Sequence, residues 1–409
     1  HACAVPGLAN LHSHAFQRAM AGLTETRGPA ADNFWTWREW MYRFLDRLRP
    51  QDVRAIAAQA YVEMLQSGFT RVGEFHYLHH QADGSAYDDI GEMAAAVAGA
   101  AAETGIGLTL LPVFYAHSGF GGAAPAAGQR RFICDLDGFA RLLEACERLA
   151  GRSPHGRVGV APHSLRAVTP DELAAVARLA GGRPLHIHAA EQVKEVEDCL
   201  AWSGARPVEW LLQNADPGDS WCLIHATHLT PAETEELARS GAVAGLCPIT
   251  EANLGDGVFP AQAFLAAGGS FGVGTDSNVH IDAAQELRAL EYAQRLSLRA
   301  RNALAGGEGS STGAGLFARA LAGGAQALAD PAGAIAEGRP ADLVSLDLDH
   351  PSLAERSGDA VLDGWIFAAG AQAVDCVWRA GLKLVNGGRH VAAAPVLAAY
   401  RKTLRALVS

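Results

Sequence analysis

The 409-residue sequence lacks features that mark several common classes of protein. No uninterrupted apolar run reaches the roughly 18 residues of a membrane span, and no basic segment followed by an apolar one opens the chain. Lysine and arginine number 33 against 44 aspartates and glutamates, for a net charge of -11, which argues against nucleic acid as a partner. We therefore expect a cytoplasmic protein that binds neither a membrane nor nucleic acid.

Cysteine is sparse and shows no pairing pattern. The seven cysteines are scattered, and none belongs to a Cys-x-x-Cys pair. This distribution predicts neither a disulfide framework nor a cysteine zinc site, and it fits a reducing compartment. A Gly-x-Gly-x-x-Gly motif is also absent after the first predicted strand, which disfavours an open sheet that binds dinucleotides.

Short apolar runs alternate with longer segments of helical period. Segments such as 50–66, 139–149 and 170–180 place apolar residues at i, i+3, i+4 spacing and predict helices. Parallel strands need crossover helices, so this alternation predicts an α/β fold of the (β/α)8 TIM-barrel type, with an open doubly wound sheet as the alternative. The eight predicted strands are 6–14, 69–77, 107–115, 157–163, 184–190, 221–227, 242–248 and 270–276.

The pattern changes after about residue 335. Two stretches, 338–346 and 373–381, resemble short strands with turn signals. We therefore assign residues 1–335 to the barrel domain, 336–392 to a small β module that forms a partial β-sandwich, and 393–409 to a C-terminal helix.

Histidines and acids stand at the ends of the predicted strands. His12 and His14 close the first run, and side chains two residues apart on a strand project to the same side. In a parallel barrel all strand ends of one kind lie on one rim, where such barrels have their active sites. Each residue alone could be packed in the core, but together they predict a divalent metal site. The other residues of this kind are His163, His188, Glu191, His225 and Asp276.

This pattern of residues at the strand ends resembles that of the amidohydrolase superfamily, whose members are metal-dependent barrel hydrolases and deaminases. The fourth predicted strand, 157–163, contains no lysine that could bridge a second metal. We therefore expect one Zn²⁺, with Fe²⁺ as an alternative, because three imidazoles and a carboxylate suit these ions. The metal ligands that the resemblance implies are His12, His14, His188 and Asp276.

The resemblance also implies catalytic roles. Glu191, three residues after His188, is typical of the mononuclear deaminases and would shuttle a proton. His225 and Asp276 would activate the water, whose pKa zinc lowers toward roughly 7. A tetrahedral adduct at an amidine-like carbon loses ammonia only when the departing nitrogen is protonated, so such a shuttle is required.

Longer motifs narrow the resemblance to one group within the superfamily. These motifs are similar to those of deiminases that hydrolyse N-formimino-L-glutamate to N-formyl-L-glutamate and ammonia in histidine degradation. The guanidinium fork matches carboxylates, of which this small anionic substrate has two. The motifs cover 10–22, 34–38, 74–77, 163–166 and 250–257. The residues implied to bind the substrate are Gln17, Arg38, Tyr77, His163 and Arg166.

The sequence leaves two other functions open. One is a deaminase of another amidine or of a heterocyclic amine such as guanine, although paired arginines disfavour a neutral ring. The other is a catalytically silent barrel that serves as a binding or assembly module, although such a barrel would be expected to have lost ligands. A homodimer is compatible with either function.

Two further expectations concern structure. His76, His79 and His80 are interpreted as a solvated loop cluster rather than a site. Family members usually have several dozen residues before the first barrel strand, whereas only residues 1–5 precede it here. We therefore expect the small module to lack its N-terminal half and to have unpaired edges.

Overall fold

The computed structural model describes residues 3–28, 32–330 and 333–408. The strands are β1 (Cys3–Pro6), β2 (Leu8–Ser13), β3 (Phe69–His76), β4 (Gly107–Phe114), β5 (Arg157–Val158), β6 (Ala161–Pro162), β7 (Leu185–Ala189), β8 (Trp221–His225), β9 (Val243–Leu246), β10 (Ser270–Val273), β11 (Leu343–Leu346), β12 (Val374–Arg379), β13 (Leu382–Asn386) and β14 (Arg389–His390). The helices are α1 (Phe34–Leu45), α2 (Pro50–Ser67), α3 (Glu92–Thr104), α4 (Leu136–Ala150), α5 (Pro170–Ala180), α6 (Val193–Ser203), α7 (Pro207–Asn214), α8 (Pro231–Ser240), α9 (Pro248–Leu254), α10 (Ala261–Ala266), α11 (Ala283–Leu298), α12 (Thr312–Ala327), α13 (Asp359–Gly364) and α14 (Ala393–Val408).

Strands β2 to β10 form a closed parallel barrel. One half has the order β2-β3-β4-β5, with β6 also paired to β4, and the other has the order β10-β9-β8-β7. Isolated parallel bridges join the halves: Ser13 pairs with Asp276 on one side, and Ser164 pairs with His188 on the other. Because β5 and β6 are two parts of one strand, the barrel has the eight strand positions that the sequence predicts.

The fourth barrel strand is broken, although the sequence predicts it as one run. Gly159 lies between β5 and β6 and packs so closely on the next strand that a Cβ there would stand 2.4 Å from the carbonyl oxygen of Pro184. The neighbouring Val160 nitrogen still donates to that same carbonyl, at 2.8 Å. Glycine therefore permits the strand to bend while its barrel pairing continues.

Local sequence signals fix several helix starts. Thr169 and Thr230 are N-caps whose side chains accept from the backbone N–H groups of Glu172 and Glu233, at 3.3 and 3.2 Å. Each is followed by proline at the first helical position, where the missing N–H is not needed. These are the caps that the Thr-Pro pattern in the sequence indicates.

The small β module is a five-stranded antiparallel sheet of order β1-β11-β12-β13-β14. Its first strand is Cys3–Pro6, which pairs with Leu343–Leu346. The expectation of unpaired edges is wrong for β11, because β1 covers its outer edge. Helix α14 packs on α2 of the barrel. The domain boundaries themselves remain a prediction.

The floor of the barrel is sealed by the end of α12 and the residues that follow it. Ala327 and Leu328 pack inside the barrel with Leu11. Arg71, which is buried, reaches Asp330 at 3.1 Å from its Nε. The opposite rim is therefore the open end of the barrel. In the described part of the chain, no helix has the length and apolar character needed to cross a membrane.

Candidate metal and active site

Three imidazoles and one carboxylate meet at the open rim. The Asp276 Oδ1 lies 3.3 Å from the His12 Nε2 and 3.2 Å from the His14 Nε2. The Nε2 atoms of His12 and His188 are 3.1 Å apart. One ligand atom from each residue lies within 4.8 Å of all the others, and all four side chains are buried. The cluster consists of His12, His14, His188 and Asp276.

Backbone carbonyls orient two of these rings. The His14 Nδ1 donates to the carbonyl of Phe75, and the His188 Nδ1 donates to the carbonyl of His163, both at 3.0 Å. A carbonyl oxygen can only accept, so each Nδ1 carries the proton and each Nε2 presents a lone pair. Burial also lowers the pKa of His12 to about 3, which keeps that ring neutral. Converging lone pairs beside a carboxylate need a cation between them, so these residues fit a metal ion.

The backbone at this rim adopts conformations that are rare for residues with side chains. Ala190, His225 and Asp276 have φ of 52°, 67° and 42°. Such left-handed positions are costly and persist where surrounding contacts enforce them. Here two polar contacts join the first and eighth strands beneath the site: the side-chain amide of Asn10 donates to the Thr275 hydroxyl at 2.7 Å, and the Thr275 N–H donates back at 3.0 Å.

Glu191 and His225 face each other above the cluster. Their nearest atoms, Oε1 and Nε2, are 3.8 Å apart, and the His225 Nε2 lies 3.9 Å from the Asp276 Oδ2. Burial raises the pKa of Glu191 to about 7. Burial alone would lower the pKa of His225, but the charges of Glu191, Glu251 and Asp276 outweigh it and raise that pKa to about 10. Two neighbouring groups whose pKa values differ can take separate acid and base roles.

Buried carboxylates behind this pair fix its geometry. Glu251 accepts from the His225 Nδ1 at 3.2 Å and from the Cys247 N–H at 2.9 Å. Glu195, whose side chain is fully buried, accepts from the N–H groups of Ala190 and Glu191, at 3.2 Å each. These contacts hold the histidine ring and the turn that carries Glu191.

A cavity opens over the cluster. Aromatic side chains form much of its outer wall, among them Trp37, Tyr42 and Tyr115. The Gln17 Nε2 donates to the Tyr77 hydroxyl at 3.1 Å. The residues predicted from the sequence that line this cavity are His14, Gln17, Arg38, Tyr77, His163, Arg166, His188, Glu191, His225 and Asp276.

Two guanidinium groups enter the same cavity. The Nη2 of Arg166 lies 4.0 Å from the Glu191 Oε2, and its buried Nε has no hydrogen-bond partner among the described residues. Arg38 is partly exposed, and in the described part of the chain it forms no ion pair. The cavity therefore combines a cation-binding floor with a wall suited to anions.

The model of the amidohydrolase family matches residues 3–384. The chain belongs to the amidohydrolase family. A formimidoylglutamate deiminase from Pseudomonas aeruginosa is 53% identical over 389 residues, which cover 94% of this chain and 85% of that protein. A 5-methylthioadenosine/S-adenosylhomocysteine deaminase from Natronomonas pharaonis is 32% identical and covers 85% of this chain and 74% of that protein. A crystal structure of an amidohydrolase from Brucella melitensis has a TM-score of 0.95 and 57% identity, covering 99% of this chain and 90% of that one.

The structure of this amidohydrolase brings the predicted site residues together, with the fully buried His12 beneath the cavity. One prediction is wrong: His76 and His79 are not solvated, since they are 1% and 2% exposed. The His79 Nε2 donates to the carbonyl of Val113 at 2.9 Å, which holds this ring against β4.

Sequence reasoning missed three buried glutamates that support the site. Besides Glu195 and Glu251, Glu74 accepts from the Ala15 N–H at 2.7 Å and so holds the chain just after His14. A weak signal exists in the sequence, because Glu74 and Glu251 lie within the motifs that carry the family resemblance. Glu195 has no such signal.

Proposed function

We propose that this amidohydrolase is a deiminase that hydrolyses N-formimino-L-glutamate to N-formyl-L-glutamate and ammonia, as in histidine degradation. The observation that carries the proposal is the pairing, in one cavity, of a three-histidine, one-aspartate cluster with the guanidinium groups of Arg38 and Arg166. The similarity to the formimidoylglutamate deiminase, at 53% identity over 94% of the chain, supports it. The cytoplasmic location and the homodimer expected from the sequence stay predictions.

A single zinc ion is the proposed cofactor, with Fe²⁺ as the alternative, and His12, His14, His188 and Asp276 would hold it. Imidazole and carboxylate are ligands that zinc accepts in catalytic sites. When bound, such a metal supplies the Lewis acidity that brings the pKa of water toward roughly 7. Elemental analysis of the purified protein should give one metal per chain, and two metals per chain would contradict this proposal.

The side chains around the metal site then divide the proton transfers. Asp276 orients the attacking water and takes up its proton, while His225, which its raised pKa keeps protonated at neutral pH, donates a hydrogen bond to the water oxygen. Glu191, whose pKa burial raises to about 7, can carry a proton at neutral pH and deliver it to the formimino nitrogen. That nitrogen leaves as ammonia once it is protonated, the carbon–nitrogen bond breaks, and the water oxygen remains on the formyl carbon.

The substrate's two carboxylates are proposed to meet Arg38 and Arg166, with Gln17, Tyr77 and His163 adding hydrogen bonds. Burial and the neighbouring guanidinium of Arg166 keep the pKa of His163 well below its usual range, so this ring stays neutral. A neutral ring can accept or donate one hydrogen bond without repelling the arginines. Because the formimino group is small, the carboxylates must supply most of the discrimination.

The products test the proposed reaction. Incubation of the metal-loaded protein with N-formimino-L-glutamate, followed by NMR, should show N-formyl-L-glutamate and ammonia in equal amounts. Release of formamide and L-glutamate would mean that the other carbon–nitrogen bond breaks, and it would contradict a deiminase.

A further inference from the structure

Both cavity arginines stack on one tryptophan. The guanidinium carbon of Arg38 lies 4.6 Å from the centroid of the Trp35 ring, and that of Arg166 lies 5.7 Å from it. Arg38 also lies 5.6 Å from the ring of Tyr42. Trp35 and Arg38 are on α1, whereas Arg166 is in the loop after the fourth barrel strand. The indole therefore joins two segments that are distant in sequence.

Trp35 lies on α1 next to residues that line the cavity, but it does not line the cavity itself. Its neighbours Phe34 and Trp37 line the cavity, whereas Trp35 is not among the described residues that do. Its ring packs edge-on against Phe34, with centroids 5.1 Å apart. Any effect of Trp35 on a ligand must therefore pass through the groups that it holds.

Close ion pairs contribute little to the placement of the two guanidiniums, although packing also confines Arg166, which is 9% exposed. Within the described ranges, neither forms a close ion pair: Arg38 has none, and Arg166 has only the 4.0 Å approach to Glu191. Two like charges near one another repel, and flexible side chains lose entropy when a ligand orders them. An aromatic face attracts a guanidinium and restricts its orientation, so one shared ring reduces both costs before a ligand arrives.

We infer that Trp35 is a specificity-determining positioning residue, which holds Arg38 and Arg166 at a separation suited to the two carboxylates of one dicarboxylate substrate. The inference rests on the proposed function and goes further, because it assigns the spacing of the anion-binding groups to a residue that does not touch the substrate. It predicts that both carboxylate contacts weaken together when the indole is removed.

The experiment compares three variants with the wild type. Trp35→Leu removes the aromatic face, and Trp35→Phe keeps a smaller one. Trp40→Leu is a matched control on the same helix, since Trp40 also stacks with an arginine, Arg43, at 5.7 Å and is 57% exposed. Metal content and thermal unfolding establish that each variant is loaded and folded.

Four substrates separate the two contacts. N-formimino-L-glutamate has both carboxylates, the formimino derivatives of γ-aminobutyrate and L-norvaline each have one, and N-propylformamidine has none. Trp35→Leu should raise KM about fivefold for each monocarboxylate and about 25-fold for the dicarboxylate, with kcat within about twofold. N-propylformamidine should react equally with all proteins, and Trp35→Phe should lie within about threefold of wild type.

The outcomes distinguish the inference from the proposed function. If the wild type releases no ammonia from N-formimino-L-glutamate, the proposed function fails and the inference fails with it. An active wild type with a Trp35→Leu variant that matches Trp40→Leu overturns the inference alone. An increase in KM for only one of the two monocarboxylates also overturns the inference, because the ring would then hold only one arginine. An equal increase in KM for all four substrates would mean that α1 has moved, and it would contradict a specific role of Trp35 in placing the arginines.

Discussion

At the scale of single residues, the pairing of Glu191 with His225 carries the proposed chemistry. Glu191 is 4% exposed, and burial brings its pKa to about 7, so it can both hold and release a proton at neutral pH. An amide of the same shape has no such proton to relay.

Glu191→Gln should therefore keep the fold and the metal but lose about 10² to 10⁴ in kcat, the range of general acid-base catalysis. Ammonia release and elemental analysis on the same preparation measure both properties. Glu197→Gln, at an exposed position of the following helix, is the control. Turnover of a fully loaded Glu191→Gln variant within about threefold of wild type, or roughly 0.6 kcal/mol, would exclude Glu191 as the shuttle.

At the scale of elements, the end of β7 depends on α6. Ala190 has the left-handed φ of 52°, and the Glu195 carboxylate accepts hydrogen bonds from the N–H groups of Ala190 and Glu191. A carboxylate offers an acceptor to each N–H, whereas an amide offers one acceptor and brings one donor.

Glu195→Gln should consequently lower the free energy of unfolding by about 1–3 kcal/mol, the cost of a buried donor without a partner. It should also lower kcat by about tenfold, because Glu191 would be misplaced. Denaturant unfolding and steady-state kinetics test the two effects. An unchanged kcat would mean that the turn keeps its shape without Glu195.

The elements that the sequence predicts are those fixed by local chemistry. Thr169 caps α5 and Thr230 caps α8 through hydrogen bonds within one turn, so their effect is visible in a short window of sequence. Glu195 acts through neighbours only four and five residues away, but its acidic side chain at a helix start looks like any first-turn glutamate. Its importance depends on burial, which the sequence does not display.

The histidines at the end of β3 and just after it show the same limit. A run of polar residues at a strand end predicts a solvated loop, but the segment of His76 and His79 is covered by the loop around Arg131. The backbone N–H groups of His79 and His80 donate to the Arg131 carbonyl, at 2.9 and 3.0 Å. Contacts across some 50 residues override the local pattern, so these side chains are buried where the sequence predicts exposure.

At the scale of the whole molecule, buried histidines link stability to pH. Burial lowers the pKa of His76 to about 4. Between a pH near 6.5 and a pH near 4, the unfolded chain binds a proton at this residue and the folded chain does not. Stability is therefore unaffected by His76 above this window and falls as the pH drops through it.

His76→Asn should make the unfolding free energy less sensitive to acid. Between about pH 7.5 and about pH 5, the wild type should lose about 2 kcal/mol more than the variant. Denaturant titrations with a chelator present remove the pH-dependent contribution of metal binding, the other buried histidines are the same in both proteins, and His280→Asn, at an exposed position, is the control. Equal losses in wild type and His76→Asn would mean that His76 is accessible to protons in the folded state.

Assembly of the site is also a property of the whole barrel. His14 and Asp276 are 262 positions apart, yet the His14 N–H donates to the Asp276 carbonyl at 2.9 Å because the first and last strands close the barrel. The sequence predicts this meeting through the eight-strand pattern and the family resemblance. The sequence does not predict that Cys3–Pro6, which precedes the first barrel strand, pairs with Leu343–Leu346.

The central claim is that the carboxylates of N-formimino-L-glutamate, rather than a ring, select the substrate. Ammonia release by the metal-loaded protein, measured for N-formimino-L-glutamate, its aspartate analogue, guanine and adenosine, tests this claim most directly. We predict efficient release from the glutamate derivative, a lower kcat/KM for the aspartate analogue, and none from the two heterocycles. Preference for guanine or adenosine would contradict the claim and leave only membership of the amidohydrolase family.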